Sequence, residues 1–92
     1  MQTRTVTVSN TLGLHARAAA RFVNLATRFS SHVRVARGDR VMDGKSIMGI
    51  LLLAAARGTV LTITADGTDE VDAVEALVQL VASGFGEDTW NA

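Results

Sequence analysis

The 92-residue chain contains no cysteine and no tyrosine, and its aromatic residues are three phenylalanines and one tryptophan. Without cysteine, neither a disulfide framework nor a thiolate metal site can form. The two histidines are too few for a structural zinc site. The composition therefore predicts a domain that folds around its own core, with no metal and no cofactor.

A long hydrophobic run is also missing. The longest apolar stretch, residues 47–56, is interrupted by Gly49 and is too short to span a bilayer. The first ten residues, "MQTRTVTVSN", lack the apolar core of an export signal. We therefore expect a cytoplasmic protein without membrane insertion.

Neither sign of charge is in excess, but the charges are unevenly distributed along the chain. All nine Lys and Arg lie in residues 1–65, whereas residues 66–92 contain no Lys or Arg and seven acids. Such segregation can produce a dipole across the folded surface. A nucleic-acid-binding domain is usually basic overall, and a sheet that stacks on bases presents aromatic side chains. The predicted strands have none, so we expect no nucleic-acid partner.

Alternating apolar residues predict four short strands. They are residues 3–8, 32–37, 40–43 and 60–65. The second and third flank the dipeptide Gly38-Asp39, which is typical of a hairpin turn. Three further segments have helical periodicity, namely residues 16–29, residues 46–57 with Gly58 as the stop, and a last helix that ends at Gly84.

The last helix is predicted from its cap and its valines. Thr68 is the expected N-cap, and Asp69 and Glu70 follow in the first turn, where the helix dipole favours acids. The expected buried stripe is Val71, Val74, Val78 and Val81. The complete order predicts a two-layer α+β domain (βαββαβα) over residues 1–85 and a loose tail over residues 86–92, with Trp90 unexplained.

The stretch "TLGLHARAAARFV" places His15 at the start of the first helix. Histidine ring nitrogens can act as nucleophiles, and the unpaired N–H groups of a helix start favour an anion. Arg17 can offer a planar fork to phosphoryl oxygens, and Gly13 gives the approach loop conformational freedom. These features describe a transiently phosphorylated histidine. On spacing alone, a histidine before a helix is more often an ordinary polar loop residue.

Ser46 precedes the second helix and is expected to be its N-cap. That helix has more apolar residues than one face can bury, so Ile47, Met48 and Leu51 are predicted to form an exposed partner surface. The alternative is a helix that the C-terminal tail covers. Arg21 and Arg28 are interpreted as guides for acidic partners, with an ordinary charged helix face as the alternative.

Two blocks resemble the HPr family, the histidine-containing phosphocarriers of the bacterial phosphoenolpyruvate-dependent phosphotransferase system. "GLHARAAA", from Gly13 to Ala20, resembles the family signature. "DGKSIMGILLLAAARGTVLTI", from Asp43 to Ile63, is similar to the region of the family's regulatory serine. The resemblance covers about residues 3–85. It implies an open-faced sandwich in which three helices cover one face of a four-stranded antiparallel sheet.

The resemblance implies a carrier and not an enzyme that turns over a small molecule. His15 would accept a phosphoryl group on Nδ1 from phosphorylated enzyme I and pass it to a histidine of an enzyme IIA, while Arg17 stabilises the phosphohistidine. Ser46 would be phosphorylated by the HPr kinase/phosphorylase. Leu14, Arg21 and the apolar residues of the second helix would contact these partners, and the protein would be a monomer.

The family often has proline at the position of Ala18. Alanine retains an N–H that proline lacks and still suits a first helical turn. The alanine-rich variant resembles both sugar-type carriers and the regulatory carrier of the nitrogen-related chain, which leaves these two pathways as alternatives. A further alternative is a non-phosphorylated binding module of the same fold, but relatives of that kind lack the histidine.

Overall fold

The computed structural model describes residues 1–89, and its elements follow the predicted order. The strands are β1 (Gln2–Thr7), β2 (His32–Arg37), β3 (Arg40–Asp43) and β4 (Val60–Asp66). The helices are α1 (Ala16–Ala26), α2 (Ile47–Leu52) and α3 (Glu70–Ala82), followed by a 3-10 segment, Gly84–Thr89.

The four strands form one antiparallel sheet in the order β1-β4-β2-β3. Val35 of β2 lies opposite Ile63 of β4 and Met42 of β3, so these side chains share the face that the helices cover. Threonines of β1 and β4, with Arg34, line the opposite face, which is open. This alternation is what a sheet with one buried face requires. The predicted α+β architecture is therefore confirmed.

The core lies between the sheet and the helices. Large side chains that are almost fully buried come from every layer of the fold; they include Phe22, Ile50, Leu53, Leu61, Ile63, Leu77 and Phe85. Helix α1 packs against both α2 and α3, and α3 also packs on β1 and β4. Each helix therefore buries one apolar face, which provides most of the stability of such short elements.

Helix α1 ends at Ala26, three residues before the predicted end. The Thr27 hydroxyl donates to the carbonyl of Asn24, and the N–H groups of Arg28 and Phe29 donate to carbonyls three residues earlier. Such bonds tighten the final turn into a 3-10 geometry and stop the helix.

Helix α2 is shorter than predicted and ends at Leu52, so Gly58 is not its stop. Ala54 has a φ of 50°, which lies outside the helical region and turns the chain away from the helix axis. The carbonyl of Ala55 then accepts a hydrogen bond from the N–H of Leu14, at 2.9 Å. A contact with a distant segment thus overrides the helix propensity of the alanines.

Two predictions for α3 are wrong. Its N-cap is Asp69 and not Thr68. Val71 is 59% exposed, whereas Ala73 and Leu77 join Val74, Val78 and Val81 in the buried stripe. The error arises because the buried face begins at Ala73, the fourth residue of the helix, rather than at Val71, the second.

The carboxylate of Asp69 does not cap its own helix but binds the loop between α1 and β2. It accepts hydrogen bonds from the N–H groups of Ser30 and Ser31, at 2.8 and 2.9 Å, and from the Ser31 hydroxyl. These donors stabilise the ionised form, so they lower the pKa of Asp69 to about 2. Asp69 therefore ties the start of α3 to the end of the sheet.

The chain beyond α3 contributes to the core. Phe85 is fully buried and has a φ of 58°, between the two parts of the kinked 3-10 segment. The sequence of this segment has no recognisable periodicity, so its structure was not predicted. The rest of the predicted loose tail, residues 90–92 with Trp90, lies outside the described residues. Within residues 1–89, no helix is both long and apolar enough to traverse a bilayer.

Candidate functional site

His15 is the N-cap of α1. Its backbone is extended, with φ −76° and ψ 177°, and its carbonyl accepts the first helical hydrogen bond from Ala19, at 2.9 Å. Its ring is partly exposed, and Nδ1 accepts a hydrogen bond from the backbone N–H of Arg17, at 3.3 Å. The imidazole of His15 thus takes the N-cap position that serine or aspartate usually occupies, and its Nδ1 faces the N–H groups of the helix start.

The bond to Nδ1 has a chemical consequence. A nitrogen that accepts a hydrogen bond carries its lone pair toward the donor, so in the neutral ring the proton lies on Nε2. In that tautomer Nδ1 has the in-plane lone pair, and it lies where the positive end of the helix dipole can stabilise an added anion.

The loop before His15 is held by an internal network. The side-chain amide of Asn10 donates to the carbonyl of Gly13, at 2.8 Å, and the N–H of Gly13 donates back to the carbonyl of Asn10, at 3.2 Å. The N–H of His15 also donates to the carbonyl of Gly13, at 3.0 Å. Asn10 is 7% exposed. Asparagine is a common turn former, so the sequence alone does not indicate that Asn10 positions His15.

The two sequence blocks described above, Gly13–Ala20 and Asp43–Ile63, meet at Gly13. A Cβ atom at this residue would lie 2.5 Å from the carbonyl oxygen of Ala55, and φ is 66°. Both the close approach and the positive φ require glycine. The segment that follows α2 therefore packs directly against the loop that carries His15.

Leu14, a predicted partner contact, is only 6% exposed and belongs to the core. Its N–H is bound to Ala55, which turns the side chain inward. A buried side chain cannot form a docking surface, so that prediction is wrong. Leu12, which is 64% exposed, is the apolar side chain that this loop presents to solvent.

Three exposed arginines begin two residues after His15, two within α1 and the third two residues beyond its end; we call them the arginines of α1. Arg17, Arg21 and Arg28 are all exposed. Arg21 and Arg28 line an open cleft of about 250 Å³, together with Asn24, Leu25 and Leu80. The structure therefore extends a cationic surface from the candidate nucleophile along the helix.

Ser46 is the N-cap of α2. Its Oγ accepts a hydrogen bond from the N–H of Gly49, at 3.1 Å, and its carbonyl accepts one from Ile50, at 3.0 Å. A Cβ on Gly49 would lie 3.3 Å from Cβ of Met42 and 3.4 Å from Oγ of Ser46. The small residue at this third helical position therefore lets the start of α2 approach β3.

The exposed apolar surface of α2 consists of Ile47, Met48 and Leu52, which are 43%, 67% and 51% exposed. We refer to these three residues as the α2 patch. Leu51, which the sequence assigned to the partner surface, is half-buried and packs against the core, whereas Leu52 takes the more exposed position. The difference arises because Leu52 lies four residues after exposed Met48, on the same side of the helix, whereas Leu51 packs against the core.

The described part of the chain contains no group of three His, Asp or Glu side chains that could hold a metal ion. The chemical groups that the site brings together are an imidazole nucleophile, helix N–H donors and arginines.

The chain matches the family model described as "PTS HPr component phosphorylation site" over residues 2–83. It is 48% identical over 87 residues to the phosphocarrier protein HPr of Cupriavidus necator, and the match covers 95% of this chain and 98% of that relative.

Solved structures agree with this match. The fold is similar to that of HPr from Thermoanaerobacter tengcongensis, with a TM-score of 0.91 and 45% identity over 95% of this chain and 98% of that one. It is also similar to the Bacillus subtilis catabolite-repression protein Crh, described as a swapped dimer, with a TM-score of 0.74 and 40% identity over 91% and 97% of the two chains. The chain therefore belongs to the HPr family, the phosphocarrier proteins of the phosphotransferase system.

Proposed function

We propose that His15 accepts a phosphoryl group on Nδ1 from phosphorylated enzyme I and transfers it to a histidine of an enzyme IIA in the cytoplasm. The observation that carries this proposal is the hydrogen bond from the N–H of Arg17 to Nδ1 of His15. This bond supports Nδ1 as the ring nitrogen that has the lone pair, at the start of α1.

The transfer is balanced without a metal or a cofactor from this chain. The lone pair of Nδ1 forms a bond to phosphorus, while the bond between phosphorus and the donor atom of enzyme I breaks and its electron pair returns to enzyme I. The second step is the same exchange in reverse, with the histidine of enzyme IIA as the nucleophile. The chain ends each cycle unchanged, so it is a carrier.

The residues around Nδ1 stabilise the intermediate. Once Nδ1 carries phosphorus, the N–H of Arg17 can donate to a phosphoryl oxygen instead, and the helix dipole favours the added negative charge. The Arg17 guanidinium, on an exposed side chain two residues after His15, supplies a second, charged donor. The phosphoryl group is thus held but remains open to an acceptor.

The α2 patch and the arginines of α1 form the docking surface for both partners. Apolar side chains in contact provide affinity, whereas exposed arginines attract acidic proteins and raise the rate of encounter. Phosphorylation of Ser46 by the HPr kinase/phosphorylase would place about two negative charges beside the α2 patch and weaken docking.

The test is phosphorylation of the purified protein by enzyme I and phosphoenolpyruvate, followed by intact mass measurement. We expect one acid-labile phosphoryl adduct on the wild type and on His32→Ala, and none on His15→Ala. His32 is the matched control because it is exposed at the start of β2. An adduct that persists in His15→Ala would refute the assignment.

Two versions of enzyme I separate the alternative pathways. Faster phosphorylation by a sugar-type enzyme I supports a role in sugar uptake, and faster phosphorylation by a nitrogen-type enzyme I supports the regulatory chain. Absence of an adduct with both versions would favour the non-phosphorylated binding module. Light scattering of the same samples tests the expected monomer.

A further inference from the structure

The C-terminal end of α2 depends on groups outside the helix. A six-residue helix is not stable alone in water, and its last carbonyl groups have no partners within the helix. No glycine follows α2 to close it, and its C-cap residue, Leu53, still has helical backbone angles.

Two arginines of the β2–β3 hairpin supply the missing donors. Nη1 of Arg37 donates to the carbonyl of Leu53, at 2.9 Å, and Nη1 of Arg40 donates to the carbonyl of Leu52, at 2.8 Å. Arg37 and Arg40 are paired across the hairpin turn. Cationic donors at this end also complement the negative pole of the helix.

The carbonyls that these arginines bind lie between the α2 patch and the phosphorylation site. Leu52 belongs to the α2 patch, and Leu53 begins the short link to Ala55, which binds Leu14 beside His15. A change in the end of α2 would therefore move both the patch and the support of the nucleophile's loop.

The same arginines also border the docking surface. Helix α2 packs against α1 on one side and against β3 on the other. Arg37 and Arg40 are exposed, and each carbonyl bond uses only Nη1, which leaves Nη2 and Nε of both guanidiniums as donors. The α2 patch therefore belongs to a helix that packs against α1, which carries Arg17 and Arg21, and that binds the two hairpin arginines at its end.

We propose that Arg37 and Arg40 are positioning residues for α2 and a second cationic rim of the docking surface. The surface that binds there is apolar at its centre and carries carboxylates on two sides. This inference rests on the proposed function, in which that surface belongs to the proteins that donate and accept the phosphoryl group.

The experiment compares two double variants with one control. In Arg37→Gln/Arg40→Gln, both the charges and the long donors are lost; in Arg37→Lys/Arg40→Lys, the charges remain and each ammonium can still reach a carbonyl. Arg34→Gln is the control, because Arg34 is exposed on the open face of the same strand. Denaturant unfolding first establishes the conditions in which every variant is folded.

The measurements are KM and kcat for phosphorylation by enzyme I, and amide hydrogen exchange at Leu53 and Ala54. We expect the glutamine pair to raise KM about tenfold with kcat within about twofold, and to speed exchange at both amides. The lysine pair should keep KM within about threefold of the wild type. Arg34→Gln should have the KM and the exchange rates of the wild type.

A wild-type KM in the glutamine pair, or an equal rise in Arg34→Gln, would overturn the inference, as would a change in kcat alone. Failure of the wild type to be phosphorylated refutes the proposed function instead. In that case the exchange rates still test the positioning role of the arginines. Unchanged exchange at Leu53 and Ala54 in the glutamine pair would show that the arginines do not hold α2.

Discussion

The two histidines of the chain have different structural surroundings. His15 lies at the start of α1, with the N–H of Arg17 on its Nδ1. His32 is exposed at the start of β2, opposite Asp66 of β4. The sequence already separated them, because His15 precedes a helix whereas His32 is out of phase with the buried valines of its strand. Position relative to an element therefore indicates which ring can carry the chemistry.

Ala54 has a strained backbone conformation that the sequence does not indicate. A left-handed φ costs an L-residue with a Cβ about 1–2 kcal/mol, whereas glycine adopts it readily. Glycine also makes the unfolded chain more flexible, which lowers the free energy of unfolding by roughly 0.5–1 kcal/mol and offsets part of the gain from the relieved strain. We expect Ala54→Gly to raise the free energy of unfolding by about 0.5–1 kcal/mol in denaturant titrations.

Ala56 provides the control for this prediction. It is an exposed alanine in the same link and does not have a positive φ. Ala56→Gly should therefore lower the free energy of unfolding slightly. If both variants are destabilised by the same amount, the strain at Ala54 does not contribute to stability.

Among the elements, the strands followed the sequence more closely than the helices did. The bounds of the four strands match the predicted segments to within one residue, because alternation along a strand is set by its own side chains. The ends of α1 and α2 do not match, because they are set by hydrogen bonds to side chains and to distant backbone. Periodicity within a helix contains no information about those bonds.

Helix α2 joins a structural serine to a candidate docking surface, which makes Ser46 testable at this scale. An aspartate at this N-cap retains an oxygen acceptor for the N–H of Gly49 and adds negative charge beside the α2 patch. We expect Ser46→Asp to be phosphorylated by enzyme I several times more slowly than the wild type at the same concentration, because docking is weaker.

Ser46→Ala separates the charge from the cap. Loss of the Oγ acceptor should lower the free energy of unfolding by about 1 kcal/mol, but the phosphorylation rate of the folded protein should change little. Equal rates for the aspartate variant and the wild type would show that charge at Ser46 does not control docking.

At the scale of the whole molecule, part of the charge segregation is neutralised by the fold. The acidic helix α3 packs beside β1, where Arg4 binds Glu75 at 2.6 Å, and the terminal ammonium of Met1 binds Glu70 at 2.6 Å. The exposed arginines of α1 remain on the surface near His15. The fold therefore reduces the charge segregation of the sequence but does not remove it.

This charge distribution predicts a salt dependence of phosphotransfer. Added salt screens exposed charges, so we expect the rate with enzyme I at limiting concentration to fall about threefold to tenfold between low salt and about 0.5 M. The dependence should be shallower in Arg21→Gln/Arg28→Gln. A rate that is independent of ionic strength would contradict the steering role of these arginines.

The bonds of Asp69 predict how stability depends on pH. Its pKa is lowered to about 2 in the folded protein, so the ionised carboxylate stabilises the fold fully above its unfolded value near 4. That contribution disappears as the pH falls from about 4 to about 2, when the folded carboxyl becomes protonated.

Asp69→Asn is the corresponding variant. The difference in unfolding free energy between wild type and variant should be constant near neutral pH and shrink below about pH 4, as measured by denaturant titrations across the pH range. Asp72→Asn, in the first turn of the same helix, is the control. A difference that does not change with pH would exclude the bonds to Ser30 and Ser31 as its source.

Local sequence patterns were sufficient to predict the order of the elements, the buried face of the sheet, and the positions of His15, Arg17 and Ser46 at helix starts. These features depend on the spacing of neighbouring residues, because side-chain alternation, helical periodicity and capping are local. The match to the HPr family confirms the interpretation that the two sequence blocks suggested.

The side chains that hold and surround that site could be identified only from the packing of the folded chain. Asn10 binds Gly13, Ala55 binds Leu14, and the hairpin arginines bind the end of α2. It also buried Leu14 and Phe85 and exposed Leu52. Most of these contacts join segments that are far apart in the chain. They arise when the helices pack on the sheet, so no local pattern could predict them.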